Sequence, residues 1–196
     1  MAKCVYAVEG LDRLGKSTLI EGIQHRLGFY QVVHFGKPQV LDVYKGAVAS
    51  IQERPHFTGN PTGYQQYVYQ REAFINSMIM AQSGARLIYD RWHLGEDVYA
   101  HLYRDYPGDY VFAIEKAMEF DLRGDIRLIL LTEDFDRSKH FVSDGSSFDD
   151  TKRRDEQELF VKAFQKSIIP DKRIICVTDL SGKFRPKSDI LDEALA

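Results

Sequence analysis

Cysteine is scarce in this chain of 196 residues: there are two, Cys4 and Cys176, each inside a short apolar run. Two thiols exclude a disulfide-framed scaffold and a structural zinc site built on cysteine. Read as small buried hydrophobes, they suit a reducing compartment, and the cytoplasm is the expected location. Basic charge is not in excess either. The net charge of −3 provides no global positive field of the kind that coats duplex nucleic acid, so no duplex partner is expected. No apolar run approaches the length of a membrane span, and a strand begins within the first few residues, which predicts no secretion signal. Internal repeats and a domain linker are also missing. The expectation is a single domain over residues 1–196, large enough to bury a core of its own.

What is present is an alternation of short apolar runs with longer helical stretches. The runs are Cys4–Val8, Val32–Phe35, Leu87–Tyr89, Ile126–Leu131 and Ile174–Val177. Their continuous hydrophobicity matches strands buried on both faces of a parallel sheet. Helices are expected at Lys16–Leu27, Val40–Glu53, Thr62–Ser83, His93–Tyr106, Asp109–Leu122, Thr151–Ile168 and Lys187–Leu195. This order predicts an α/β three-layer sandwich with strands joined by helical crossovers.

The segment from Gly10 to Ser17, GLDRLGKS, matches G-x4-G-K-[ST] in full, with a strand before it and a helix after it. Gly10 and Gly15 let the backbone curl so that successive N–H groups face one point, where the helix N-terminus adds its partial positive charge. A phosphate donor such as ATP is the expected ligand. Lys16 is expected on its phosphates, Ser17 on Mg²⁺, and Thr18, with Gly10 and Gly15, among the residues that bind the donor.

A second signal is Asp90-Arg91-Trp92 at the carboxyl end of a buried strand, the edge at which open α/β sheets bind ligands. Asp90 is fitted to hold Mg²⁺ or to accept a proton, and Arg91 to make bidentate contact with a phosphate. The competing reading is an ion pair that opens the next helix.

The stretch EGLDRLGKST, from Glu9 to Thr18, resembles the phosphate loop of thymidylate kinases, and Asp90-Arg91-Trp92 resembles that family's Asp-Arg-Tyr motif. The resemblance implies a P-loop fold with a five-stranded parallel sheet and a mobile lid. It also implies ATP- and Mg²⁺-dependent phosphorylation of a deoxynucleoside monophosphate, with dTMP the first choice. By the same similarity Asp12 would meet the 3′-hydroxyl of the acceptor sugar, and Arg13 would bridge donor and acceptor phosphates. Asp90 and Arg91 would serve the metal and the acceptor phosphate. Tyr67 and Arg71, one helical turn apart, match the aromatic-then-arginine spacing of the base pocket, although Tyr67 also fits an apolar core stripe with Phe74 and Met78. Small-molecule nucleotides are the implied partners, and a homodimer is left open.

The sequence departs from that family in three places. His34-Phe35-Gly36-Lys37 stands where an arginine usually holds the acceptor phosphate, which leaves Lys37 as the substitute charge. Trp92 replaces tyrosine, and His93-Leu94-Gly95-Glu96 replaces smaller residues. The lid candidate is residues 133–154. Its basic residues Arg137, Lys139, Arg153 and Arg154 suit either closure over phosphates or a solvated helix face, and the second reading is preferred for each. The loop from Thr178 to Arg185 is expected beside the donor base. A deoxynucleoside kinase of the same fold is the first alternative, and a polynucleotide 5′-hydroxyl kinase is the second. Arg13 and Arg91 are expected to repel each other unless an acceptor phosphate lies between them.

Overall fold

A computed structural model of the chain describes residues 3–35, 61–104, 106–119, 125–136 and 152–196, with side chains from Tyr67 onward in the second stretch. Five strands are formed: β1 (Val5–Gly10), β2 (Gln31–His34), β3 (Leu87–Asp90), β4 (Ile126–Thr132) and β5 (Asp171–Cys176). All neighbours pair in parallel, in the order β2-β3-β1-β4-β5. The two central runs, VYAVEG and IRLILLT, are buried at every position, as strands covered on both faces must be.

Six helices flank the sheet among the described residues: α1 (Lys16–Leu27), α2 (Pro61–Gln82), α3 (His93–Tyr103), α4 (Tyr110–Ala117), α5 (Arg153–Lys166) and α6 (Lys187–Leu195). Leu19, Ile20 and Ile23 fix the inward face of α1. Helix α1 also packs on α6, and α3 packs on both α4 and α5. The sandwich expected from the sequence is therefore the architecture found.

The boundaries shift where charge interrupts hydrophobicity. Strand β5 starts at Asp171, three residues before the expected Ile174, because it is an edge strand. Lys172 and Arg173 still pair with Leu128 and Ile129 through backbone alone. Arg127, a charge inside β4, reaches Asp171 with N–O distances of 3.1 Å and donates to the Ala194 carbonyl at 3.0 Å, tying β5 and the end of α6 to the centre. Helix α3 ends at Tyr103, short of the expected Tyr106, and α4 is shorter than residues 109–122. The helix expected over residues 40–53 lies outside the described residues, as do Lys37 and residues 137–151 of the lid candidate.

Register brings the functional signals together. Val8 on β1 is paired with Asp90 on β3, and Asp90 with His34 on β2. The phosphate loop, the Asp90-Arg91 turn and His34 therefore emerge from one edge of the sheet.

Candidate active site

The phosphate loop takes its shape from two glycines. Gly10 has φ 130°, and a Cβ there would lie 2.5 Å from the Leu131 carbonyl oxygen, so only glycine fits between β1 and β4. Gly15 has φ 81° and is the N-cap of α1. Between them the Lys16 ammonium is buried, donating to the carbonyls of Gly10 at 3.0 Å and Leu11 at 2.6 Å. Burial, and then the nearby Arg91 charge, lower its pKa to about 8 against the pull of Asp12, Asp90 and Glu9. Ser17 is exposed and Thr18 half-buried.

Asp12, Arg13, Gly15, Lys16, Ser17, Thr18, His34, Asp90 and Arg91 line one depression of about 370 Å³. The residues singled out around the loop and the strand edge thus share one space. Tyr67 and Arg71 are not among those that line it. Arg13 and Arg91 are the two non-glycine residues with left-handed backbone among those described, at φ 67° and 61°. Each such conformation costs about 1–3 kcal/mol and persists where its surroundings over-determine it.

Two of the cations in this space already share a carboxylate. The Arg91 guanidinium donates to Asp12 Oδ1, and Lys16 Nζ stands 3.7 Å from the same oxygen. The expectation that Arg13 and Arg91 face each other uncompensated is therefore corrected: Asp12 answers the Arg91 charge within the protein. Asp90 has one oxygen engaged, with His34 Nδ1 2.9 Å from Oδ2. Its Oδ1 is buried and has no hydrogen-bond partner among the described residues. Asp90 and Ser17 line the same depression, and a carboxylate with a hydroxyl is an oxygen donor set of the kind a divalent cation takes.

Several expectations change. Trp92 lies in the core: its ring stacks on Tyr89 at 4.9 Å and its Nε1 donates to Ser77 Oγ at 2.7 Å, so it does not face the depression. Tyr67 is half-buried and packs edge-on against Tyr106 and Tyr110, at 5.8 and 5.1 Å between ring centroids. Arg71 is exposed on α2. Arg153 is not part of a solvated face. It is buried, with both terminal nitrogens 3.2 Å from the Asp12 carbonyl oxygen and one 2.7 Å from Glu133 Oε1. Arg154 does face solvent, paired with Asp136.

Glu9, His34, His93 and Glu115 had no role in the sequence reading. Glu9 is fully buried and accepts from the N–H groups of Trp92 and Leu94, both at 2.9 Å, and of Gly95 at 3.4 Å. His93 Nε2 lies 3.2 Å from Glu115 Oε1, and both side chains are fully buried. Burial pushes the Glu115 carboxyl up, but contacts with His93, Ser167 and Ile168 outweigh it and hold it below the ordinary range. Of these residues only Glu9 carried a sequence signal: a carboxylate inside a buried strand, directly before Gly10.

A second groove of about 590 Å³ adjoins the loop, between α1 and the segment from Phe184 to Leu191. The stretch from Thr178 to Arg185 thus borders the phosphate loop, at Phe184 and Arg185.

No protein-family profile matches the sequence, and no curated protein matches it. Solved structures do. The YorR protein of Bacillus subtilis, solved in complex with phosphorylated GDP, is 14% identical with a TM-score of 0.57, covering 96% of this chain and 91% of its own. A thymidylate kinase from Ehrlichia chaffeensis is 13% identical with a TM-score of 0.53, covering 98% and 97%. A gluconokinase from Sinorhizobium meliloti is 12% identical with a TM-score of 0.44, covering 97% and 89%. At these identities the likeness is one of fold: the helix-flanked, five-stranded parallel sheet of this chain matches the YorR protein and the thymidylate kinase.

Proposed function

We propose that the chain transfers the γ-phosphoryl group of ATP to a deoxynucleoside monophosphate, with dTMP the preferred acceptor. The observation that carries the reading is the single depression in which Lys16 and Ser17 meet Asp12, Arg13, Asp90 and Arg91. Donor phosphates would lie on the N–H groups of the loop, and Lys16 would turn its ammonium from the Gly10 and Leu11 carbonyls onto them. Ser17 and Asp90 would hold Mg²⁺, which offsets charge on the phosphates when bound. Arg91 would exchange its Asp12 partner for the acceptor phosphate, which releases Asp12 to receive the sugar hydroxyl. Arg13 would steady the phosphoryl group in transit. The bond from the γ-phosphorus to its bridging oxygen breaks, a bond to an acceptor phosphate oxygen forms, and ADP leaves.

One observation favours a second reading, a nucleoside kinase of the same fold. A hydroxyl acceptor must lose a proton, and an imidazole oriented by a carboxylate, as His34 is by Asp90, is a general-base arrangement. An acceptor phosphate has no such requirement. ADP formation from ATP and Mg²⁺ over a panel of deoxy- and ribonucleoside monophosphates and nucleosides tests both readings. A response to dTMP is expected. A panel with no acceptor-dependent ADP would remove the proposal.

A further inference from the structure

Donor and acceptor groups in the proposed site sit on two separate segments, the phosphate loop and the turn from Asp90 to Gly95. Transfer requires those segments to hold a fixed distance, because a misplacement of about 1 Å costs a rate factor of about a hundred. The β1–β3 pairing and the Asp12–Arg91 ion pair already join these segments, and one buried side chain adds a third link. Glu9 precedes Gly10 of the loop in sequence, and its carboxylate crosses beneath to the N-terminus of α3.

The first turn of α3 has no cap of its own. Trp92 at the N-cap makes no side-chain hydrogen bond to it, so its leading N–H groups need an acceptor from elsewhere. Glu9 Oε1 takes those of Trp92, Leu94 and Gly95, and its negative charge suits the positive end of the helix. The turn being held is a strained one. Arg91 is left-handed at φ 61°, fixed on one side by its own N–H to the Val8 carbonyl at 3.0 Å and on the other by the Trp92 bond to Glu9. Val8 and Glu9 are consecutive in β1, so a single dipeptide grips both sides of the residue.

The helix also comes close. A Cβ on Gly95 would sit 3.4 Å from Glu9 Oε2, an oxygen that is buried and has no hydrogen-bond partner among the described residues. Burial pushes the Glu9 carboxyl above the ordinary carboxylate range, while His93 and the three N–H groups pull it down. Full burial keeps it out of reach of a substrate.

We infer that Glu9 is a positioning residue that sets the Asp90-Arg91 turn against the phosphate loop, acting through the backbone N–H groups of Trp92, Leu94 and Gly95. The kinetic part of this inference rests on the phosphoryl-transfer reading above, and the exchange part does not.

The test uses the full chain with Glu9→Gln and Glu9→Asp, and three readouts: ATP dissociation constant, kcat for dTMP per folded molecule, and amide hydrogen exchange. Gln keeps an oxygen at the same reach but loses the charge, so exchange should quicken at the Trp92, Leu94 and Gly95 amides more than elsewhere in α3. Its kcat should fall by about threefold. Asp keeps the charge but falls short by one methylene, so kcat should drop by about tenfold or more, with ATP affinity within about threefold of the parent. An Asp variant as active as the parent per folded molecule, or more active than Gln, would overturn the inference, because charge would then count for more than reach. Should Asp prevent folding, the Gln variant decides: unchanged protection at those three amides would overturn it. A parent protein inactive on dTMP would instead overturn the acceptor reading, while the exchange pattern still reports on Glu9.

Discussion

Asp12 binds Arg91 across the sequence, a carboxylate from the phosphate loop accepting from a guanidinium that follows β3. The same Asp12 oxygen stands 3.7 Å from Lys16 Nζ, so one carboxylate is shared by the two cations proposed to hold phosphate. The site is held together by its own ion pairs, and a bound phosphate must take over contacts that Asp12 already makes.

That arrangement fixes the sign of an Asp12→Asn substitution. Removing the carboxylate leaves Lys16 and Arg91 without their shared partner, so inorganic phosphate and ADP should bind more tightly, by about threefold to tenfold. Acceptor kcat/KM should fall by about tenfold, since Asp12 is also proposed to receive the sugar hydroxyl. Isothermal titration with ADP checks the first part, and weaker binding would contradict the balance described.

Lys16 imposes a pH dependence. With a pKa of about 8 in the free protein, it is protonated below that value and progressively neutral above it. Bound phosphates favour the charged form and raise the pKa, so binding above pH 8 takes up a proton. ATP affinity should be level below pH 8 and weaken by up to about tenfold per unit above it. In Lys16→Met the slope should vanish along with transfer. A slope that survives in this variant belongs to another group.

Arg153 and Glu133 form a buried pair whose arginine also holds the Asp12 carbonyl. Removing one partner strands the other charge, so Arg153→Met should destabilise the fold by about 3–5 kcal/mol, and the double change with Glu133→Leu should recover most of it. Urea denaturation of the two variants measures the difference. A fully stable single variant would return Arg153 to the solvated reading.

Legibility in the sequence followed burial. β1 and β4 announced themselves because strands covered on both faces are apolar at most positions, Glu9 and Arg127 being the charged exceptions, and the loop because glycine, lysine and serine have few other reasons to fall at that spacing. β5 was misplaced by three residues because an edge strand tolerates Lys172 and Arg173. The partners of Glu9, of Arg153 and within the His93–Glu115 pair were not legible, since they lie 83, 141 and 22 positions away and only the fold brings them together. The direction of the Trp92 ring carried no sequence signal: its neighbour Arg91 lines the site, while its own ring turns into the core.

Asp90→Asn keeps the side-chain volume and removes the charge. Its Oδ2 would no longer orient His34 as a carboxylate does, and its free position would no longer serve as an anionic ligand for a cation. Turnover should fall by about a hundredfold or more at unchanged thermal stability. Retention of most activity would leave Asp90 as an ion-pair partner alone.

In the proposed transfer, Arg91 releases Asp12 to take an acceptor phosphate. Each charge-assisted bond to that phosphate contributes about 1.5–3 kcal/mol, but one exchanges for the Asp12 contact, so the net preference should be about tenfold or more. The deciding measurement is kcat/KM for dTMP and for thymidine, with the parent protein and with Arg91→Ala. The expected result is a preference for dTMP of about tenfold or more that Arg91→Ala abolishes through loss on dTMP alone. Equal efficiency on both acceptors in the parent, with Arg91→Ala affecting them alike, would contradict the account and favour a hydroxyl acceptor served by His34 and Asp90.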